Sequence, residues 1–541
     1  MNYDFVIVGG GSAGCILADR LSASGRHRVL LLEAGGDDSA LRFRVPIGYV
    51  YTYYDPQHNW MYYSEPEPHL HGRKLYVPRG KVLGGSGSIN AMIYIRGQAR
   101  DFADWSAAAG SADWSFEKVL PYYRRMESHA LGASAWHGAD GPIHITPMRP
   151  QAHPLCNDFL TACQQLGYPL TQDFNGAQFE GGGIYDINTR NGLRDSSSRA
   201  YLRRAAGRSN LIIERERLVE RILFDGNGRA TGVVSNGRDG RFECSASGEV
   251  ILCAGAVGTP QLLQLSGVGD EQLLRSHGIA VVHHAPAVGQ RLQDHVCASY
   301  YYRARRSTLN DELGAWPGRL RAGLDYLLFR RGPLALSVNQ AGGFFRASPQ
   351  APFANIQLYF NPLSYSIPRD GSNNLAPEPY SGFLVAFSPC RPSSRGSVQI
   401  ASSRAQDAPL IRLNFLATEQ DQQEVIQASR LVRGLFAAPA LRAVTAQEVR
   451  PGERVQNDAE MLQYFREEAG SIYHLCGSCA MGSDASSSVV SARLQVHGLR
   501  GLRIADASIF PNVTSGNINA PTMMVAEKAA ELILADHAAV P

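Results

Sequence analysis

Six residues near the start, Gly9-Gly10-Gly11-Ser12-Ala13-Gly14, set the architecture, because they place G-x-G-x-x-G at Gly9, Gly11 and Gly14. They follow the apolar run Phe5-Val6-Ile7-Val8 and open a helical stretch with Cys15-Ile16-Leu17 and Leu21 on one face. Val29-Leu30-Leu31-Leu32 then reads as a second strand that ends at Glu33. Strand, tight turn, helix and strand in this order predict an α/β unit whose first turn cradles a dinucleotide. Gly9 permits the turn, Gly11 lets backbone approach a pyrophosphate, and Gly14 lets helix and strand pack closely. The phosphates sit on the helix N-terminus, where unpaired N–H groups and the dipole favour anions. Glu33 accepts hydrogen bonds from ribose hydroxyls and repels a 2′-phosphate, which disfavours NADP. The turn alone does not separate NAD from FAD.

Bulk properties exclude several classes. A chain of 541 residues, 44% hydrophobic and 19% charged, has room for two to four globular domains. Its 52 basic and 49 acidic residues leave a net charge of +3, so nucleic acid or an anionic membrane is not expected as the main partner. Nine cysteines, an odd count, make no disulfide framework and suit a reducing compartment. Met1-Asn2 lead straight into the first strand with no basic n-region and no cleavage site. With no run of about 18 apolar residues, no membrane span is expected. The expected location is cytoplasmic.

Along the chain, residues 36–78 lack periodicity and are rich in aromatics and proline, as in an extended excursion. A helix is expected after Ser115 to about Glu127, and a β-meander over 209–254, built from Leu211–Ile213, Val219–Phe224, Thr231–Ser235 and Val250–Cys253. Beyond 296 the pattern is scattered strands, such as Ser397–Ile400, with helices near 315–329 and 418–437. The first of these carries Arg319, Arg321, Leu324, Leu327 and Leu328, expected as a solvated face over an ordinary core stripe and not as a membrane contact. A last helix is expected from Pro521, at its first position, to Ala535.

Three further segments bear on the cofactor. Gly80-Lys-Val-Leu-Gly-Gly-Ser-Gly-Ser-Ile-Asn-Ala-Met-Ile-Tyr-Ile-Arg-Gly97 resembles the first signature of the glucose–methanol–choline (GMC) oxidoreductases. Gly255-Ala-Val-Gly-Thr-Pro-Gln-Leu-Leu-Gln-Leu-Ser-Gly-Val-Gly269 resembles the second. Tyr473-His474 with Gly477-Ser478-Cys479-Ala480-Met481-Gly482, continuing through Leu502–Ser508 and Asn517–Thr522, is similar to the family's active-site histidine segment. These motifs stand in family order and cover essentially the whole chain.

The resemblance implies a Rossmann-like FAD-binding domain assembled from discontinuous segments, plus an α+β substrate domain built on an antiparallel sheet. The segments would be 1–155, 201–297 and 466–541 for the FAD domain, and 156–200 and 298–465 for the substrate domain. It implies FAD contacts from Gly9, Gly11, Ser12, Ala13, Gly14, Glu33 and Ala34, and from Val82, Gly85, Ser86, Asn90, Ala91 and Met92. Val219 near the adenine, Ala254, Asp506, Ala507, Pro521 and Thr522 complete the set. Some members tether the flavin through a histidine. Ile89 stands at the matching position, so non-covalent FAD is expected.

Alcohol oxidation needs a base near the hydroxyl while hydride leaves the carbon for flavin N5. By resemblance that base is His474, and the second family position, His or Asn in different members, is Asn519, whose amide would hold the alkoxide oxygen. His295 is expected to support the flavin region and not to act as base. Cys476-Gly477-Ser478-Cys479 is a C-x-x-C beside the histidine. It has no second C-x-x-C to complete a metal site, and Cys476 is expected to line the pocket. The resemblance thus implies a small-molecule primary alcohol as substrate, with oxygen or a quinone-like acceptor. Cyanohydrin cleavage on the same fold, a choline-type substrate in particular, and a non-catalytic flavin protein are the alternatives at this level.

Overall fold

The computed structural model describes residues 2–366 and 376–538. The remaining parts of the expected segments, residues 1, 367–375 and 539–541, lie outside the described residues. Two seven-stranded sheets organise the chain, each over its own hydrophobic core.

In the first sheet, Asn2–Val8 lies between Val29–Leu32 and Gly240–Leu252, parallel to both. All four residues of Val29–Leu32 are buried, as expected for a strand covered on both faces. Gly240–Leu252 is long enough to serve two partners. Its first half pairs antiparallel with Ala230–Gly237, and its second half pairs parallel with Leu502–Ile504. Leu218–Phe224 closes the antiparallel edge. The expected meander is therefore three strands long, not four. Leu211–Glu214 leaves it and pairs parallel with Val29–Leu32 on the opposite edge.

The second sheet runs Thr445–Arg450, Val296–Ala304, Gly382–Pro389, Ile356–Asn361, Ala341–Phe345, Gly181–Ile184, antiparallel throughout. The helix Glu419–Ala437, started by the Thr418 side chain accepting from Asp421 N–H, packs one face on it. The helices Ala99–Ala109, Leu155–Gln165 and Gly255–Leu265 were not anticipated from periodicity.

The last helix, Asn519–Ala538, begins two residues before Pro521 and packs against Ser12–Ser22. Buried Glu527 fixes the pair by accepting from Arg20 and from the Tyr201 hydroxyl, the latter at 2.7 Å. Removing one partner of such a buried ionic contact costs about 3–5 kcal/mol. Among the described residues no helix is long and apolar enough to cross a membrane.

Candidate active site

A cavity of about 1250 Å³ lies between the two sheets' loops and reaches from the Gly9–Gly14 turn to His474. The glycines of the turn have two different reasons to exist. A Cβ on Gly14 would stand 1.9 Å from the Gly9 carbonyl oxygen, and one on Gly9 (φ +100°) would stand 2.5 Å from that of Cys253. The protein itself demands both. At Gly11 the nearest atoms would be 3.8–3.9 Å from a Cβ, ordinary contact distance, so its bare backbone serves whatever enters the cavity. The helix Ser12–Ser22 starts at Gly11 with no capping side chain and no acid in its first turn. Its free N–H groups suit anionic oxygens.

Glu33 Oε2 accepts from Gly10 N–H at 2.8 Å and Oε1 from Gly35 N–H at 2.7 Å. Burial pushes its carboxyl up to about 7, against these two amides, which favour the charged form. Uncapped amides, a bare Gly11 and an acid at the end of the second strand fit the pyrophosphate and ribose of a dinucleotide.

Of the other expected contacts, Ser12, Ala13, Ala34, Gly85, Ser86, Asn90, Ala91, Met92, Val219, Ala254, Asp506, Ala507 and Thr522 line the cavity. Gly14, Val82 and Pro521 do not line it. Val82 is buried with Phe43 and Ile89 in a small core behind the wall, while Ile89 itself reaches the cavity. Asp506 is bound by protein on both oxygens: Oδ2 accepts from Gly255 N–H and the Thr259 hydroxyl, and Oδ1 from Ser508 N–H.

The wall at Asn90–Met92 is held under strain. Met92 has φ +66°, costly for a side chain of this size. Arg194 fixes it, donating to Asn90 Oδ1 at 2.7 Å and to the Asn90 carbonyl at 2.6 Å. No sequence signal pointed to this buried arginine, 104 residues from Asn90, whose pKa burial lowers to about 10.

At the far end, His474 belongs to a chain of hydrogen bonds whose direction can be derived. His295 Nε2 lies 2.8 Å from the Cys390 carbonyl oxygen, which only accepts, so Nε2 carries the proton. Burial lowers the His295 pKa to about 4, so the ring is neutral and its Nδ1 is an acceptor. His474 Nδ1, 2.9 Å away, must therefore donate to it. That leaves the His474 Nε2 lone pair free of a proton, 3.1 Å from Asn517 Nδ2. The Asn517 amide is oriented from its other end, where Oδ1 accepts from Gln357 Nε2 at 3.4 Å. Burial, His295 and Arg79 together hold the His474 pKa well below the ordinary histidine value. Asp294 Oδ1 accepts from His474 N–H at 2.7 Å and fixes the backbone. Tyr473, just before it, sits at φ +70°.

Asn519, the expected partner of His474, faces elsewhere. Its Oδ1 accepts from the Ser12 hydroxyl at 2.8 Å, tying the last helix to the first turn. Asn517 occupies the position beside the histidine. Residues 517 and 519, on either side of Ile518, thus meet different partners. Cys476, expected to line the pocket, does not: it is buried in the first core with Cys479, both free thiols pushed up by burial.

Around His474 the cavity is walled by tyrosines, among them Tyr49, Tyr53, Tyr301, Tyr359, Tyr365 and Tyr473. Tyr49 and Tyr53 come from the aperiodic stretch near residue 50, Tyr301 and Tyr359 from the second sheet, and Tyr365 and Tyr473 from loops, so the substrate end is built by distant parts of the chain. Arg79, also lining the cavity, donates to the carbonyls of Pro78 and Tyr473, with its pKa lowered by burial.

Family models described as GMC oxidoreductase match residues 3–297 and 392–526. The chain is 41% identical over 536 residues to the oxygen-dependent choline dehydrogenase of Vibrio vulnificus (strain YJ016), covering 98% of this chain and 94% of that protein. It is 41% identical to mitochondrial choline dehydrogenase of Mus musculus, covering 98% of this chain and 89% of the relative. Among solved structures, pyridoxine 4-oxidase from Mesorbium loti superimposes with a TM-score of 0.88 at 31% identity, covering 98% of each chain.

Proposed function

The chain belongs to the GMC oxidoreductase family, and from that premise we propose that it oxidises a primary alcohol to an aldehyde with His474 as general base. It is an FAD-dependent enzyme acting on alcohols. Bound FAD supplies the acceptor for the hydride that leaves the carbinol carbon. The protein's part is placement and proton handling. The substrate hydroxyl replaces the direct contact between Asn517 Nδ2 and His474 Nε2 and bonds to both groups. Nε2 takes the hydroxyl proton, and the Asn517 N–H donates to the oxygen as negative charge builds there. Arg79 adds a fixed positive charge to the same end of the cavity. The carrying observation is the directed chain from Asn517 to the Cys390 carbonyl, which leaves a basic nitrogen unprotonated in the cavity wall.

FAD would be held by the expected loop residues that line the cavity, with Asn519 and Ser12 joining first turn to last helix. The N-terminus of that helix would favour negative charge on the reduced cofactor. Ile89 offers no side chain for a covalent tether, which supports non-covalent FAD. Segments 1–155, 201–297 and 466–541 would form the FAD domain and 156–200 and 298–465 the substrate domain. Membership of the strands in the two sheets supports this division, with Gly470–Ser471 reaching across to pair with Val296–Cys297. Nine free, buried thiols among the described residues suit a cytoplasmic setting.

The electron acceptor would be oxygen or a quinone-like carrier. A choline-type substrate is a second reading, supported by the names of the relatives and by the tyrosine faces, which attract a quaternary ammonium. Arg79 opposes it, since a cationic substrate would share its end of the cavity.

The test is anaerobic addition of a panel of primary alcohols, choline included, with the flavin spectrum recorded. Bleaching by one alcohol in the wild type and its loss in His474→Ala would support hydride transfer assisted by this base. Equal bleaching in the variant would remove His474 from the role. Readmitting air sorts oxygen from other acceptors.

A further inference from the structure

The helix Trp316–Phe329 is built inside out. At 100° per residue, Gly318, Ala322 and Tyr326 fall on one side, and these meet the protein: Ala322 and Tyr326 are buried, and the Tyr326 hydroxyl donates to the Gly192 carbonyl at 2.9 Å. The opposite arc holds Trp316, Leu320, Leu324, Leu327 and Leu328, which are 74%, 53%, 49%, 64% and 69% exposed. Phe329, at the helix end, is 60% exposed. A surface helix ordinarily turns its apolar stripe inward and its charges outward. Here half of the molecule's exposed large apolar side chains among the described residues are gathered on fourteen positions. A contiguous patch of this kind marks a surface that something covers.

Charge narrows what covers it. Four arginines, Arg319, Arg321, Arg330 and Arg331, flank the arc, and between them the sequence holds one acid, Asp325. Arg331 pairs with Asp325 at 3.3 Å. Among the described residues the other three have no carboxylate within ion-pair distance, though Glu312 lies near enough to Arg321 to feel its charge. A two-fold contact with a second copy would set these arginines against themselves. An anionic bilayer satisfies both elements at once. The leucines and Trp316 enter the acyl boundary, and the arginines meet phosphate.

Position gives the patch a purpose. Leu313 just before this helix, Arg319 in its first turn and Leu334 after its end line the catalytic cavity, as do Val50 and Tyr51 from the short helix Tyr49–Thr52. Tyr51 is 71% exposed, so the rim on that side is aromatic. The apolar arc therefore adjoins the cavity wall.

The geometry points to Trp316–Phe329 as an interfacial helix that docks the protein on an anionic lipid surface, with this side of the cavity facing the bilayer. Apolar alcohols or acceptors dissolved in the membrane then reach the cavity without first dispersing in water.

The full-length holoprotein is floated with vesicles of phosphatidylcholine alone and of phosphatidylcholine mixed with phosphatidylglycerol. Co-flotation with the mixed vesicles is expected, weakening as salt is raised. Leu324→Glu with Leu328→Glu is expected to lower the bound fraction at least about tenfold. Its flavin spectrum and turnover of a dissolved alcohol should be retained, since neither residue lines the cavity. Protein left in the aqueous layer with both vesicle types would overturn the proposal. So would equal flotation of the double variant. A wild-type dimer in light scattering, dissociated by the double variant with no vesicle binding by either, would assign the face to a second copy instead.

Discussion

The two ends of the cavity are made in opposite ways. The Gly9–Glu33 end is written in backbone: glycines whose missing side chains are dictated by carbonyls 1.9–2.5 Å from a hypothetical Cβ, and amides left open at a helix start. The His474 end is written mostly in side chains from five separate stretches, joined by hydrogen bonds running from Gln357 through Asn517, His474 and His295 to the Cys390 carbonyl. A backbone site constrains its own sequence locally. A side-chain site depends on where distant segments happen to meet, so its members are replaceable and its specificity is tunable. That contrast explains how one cofactor cleft can serve many alcohols.

The sharpest way to break the contrast is at its catalytic end. His474→Ala should slow anaerobic flavin bleaching by about 10²–10⁴-fold while FAD remains bound, as read by absorbance of the purified protein. Retained rate would mean that the ordered chain does not handle the proton. At the cofactor end, Gly14→Ala should leave little folded flavoprotein, whereas Gly11→Ala should keep the thermal stability of the cofactor-free protein and lose FAD affinity. Matching melting temperatures with and without FAD across the pair would show that both glycines serve only the fold. Asn517→Ala should lower turnover by about 10-fold or more, a loss of roughly 1.4 kcal/mol or more in transition-state binding. Asn519→Ala should instead raise the rate of FAD release and leave bleaching of the loaded enzyme nearly intact. The smallest effect is in pH. Because the His474 pKa is lowered, its base form persists at neutrality, and protonation on acidification removes the lone pair. The bleaching rate should stay flat above about pH 7 and fall only on the acid side of the ordinary histidine value.

What could be seen in the sequence follows the same division. The first turn was legible because its glycines stand within six consecutive residues, and the demand at Gly14 comes from Gly9, five positions away. His474 was legible because its neighbours form a recognisable segment. Asn517 was confused with Asn519 because both flank Ile518, and spacing alone does not say which one meets the histidine. Leu211–Glu214 was placed in the meander because strand partners are set by tertiary register, and a four-residue apolar run fits either edge. The helix Trp316–Phe329 taught the most. Periodicity reveals a stripe, but not which side of it faces protein, and a chain-wide charge of +3 conceals a local group of four arginines.

The hydrogen bond from Ser12 to Asn519 joins residues 507 positions apart. At synthesis rates of roughly 5–20 residues per second, about 25–100 s separate the emergence of the two sides of this clasp from the ribosome. During that interval the first turn is available but the helix that closes on it is not. The wall of the cavity at the first turn is thus completed only when nearly the whole chain has been made.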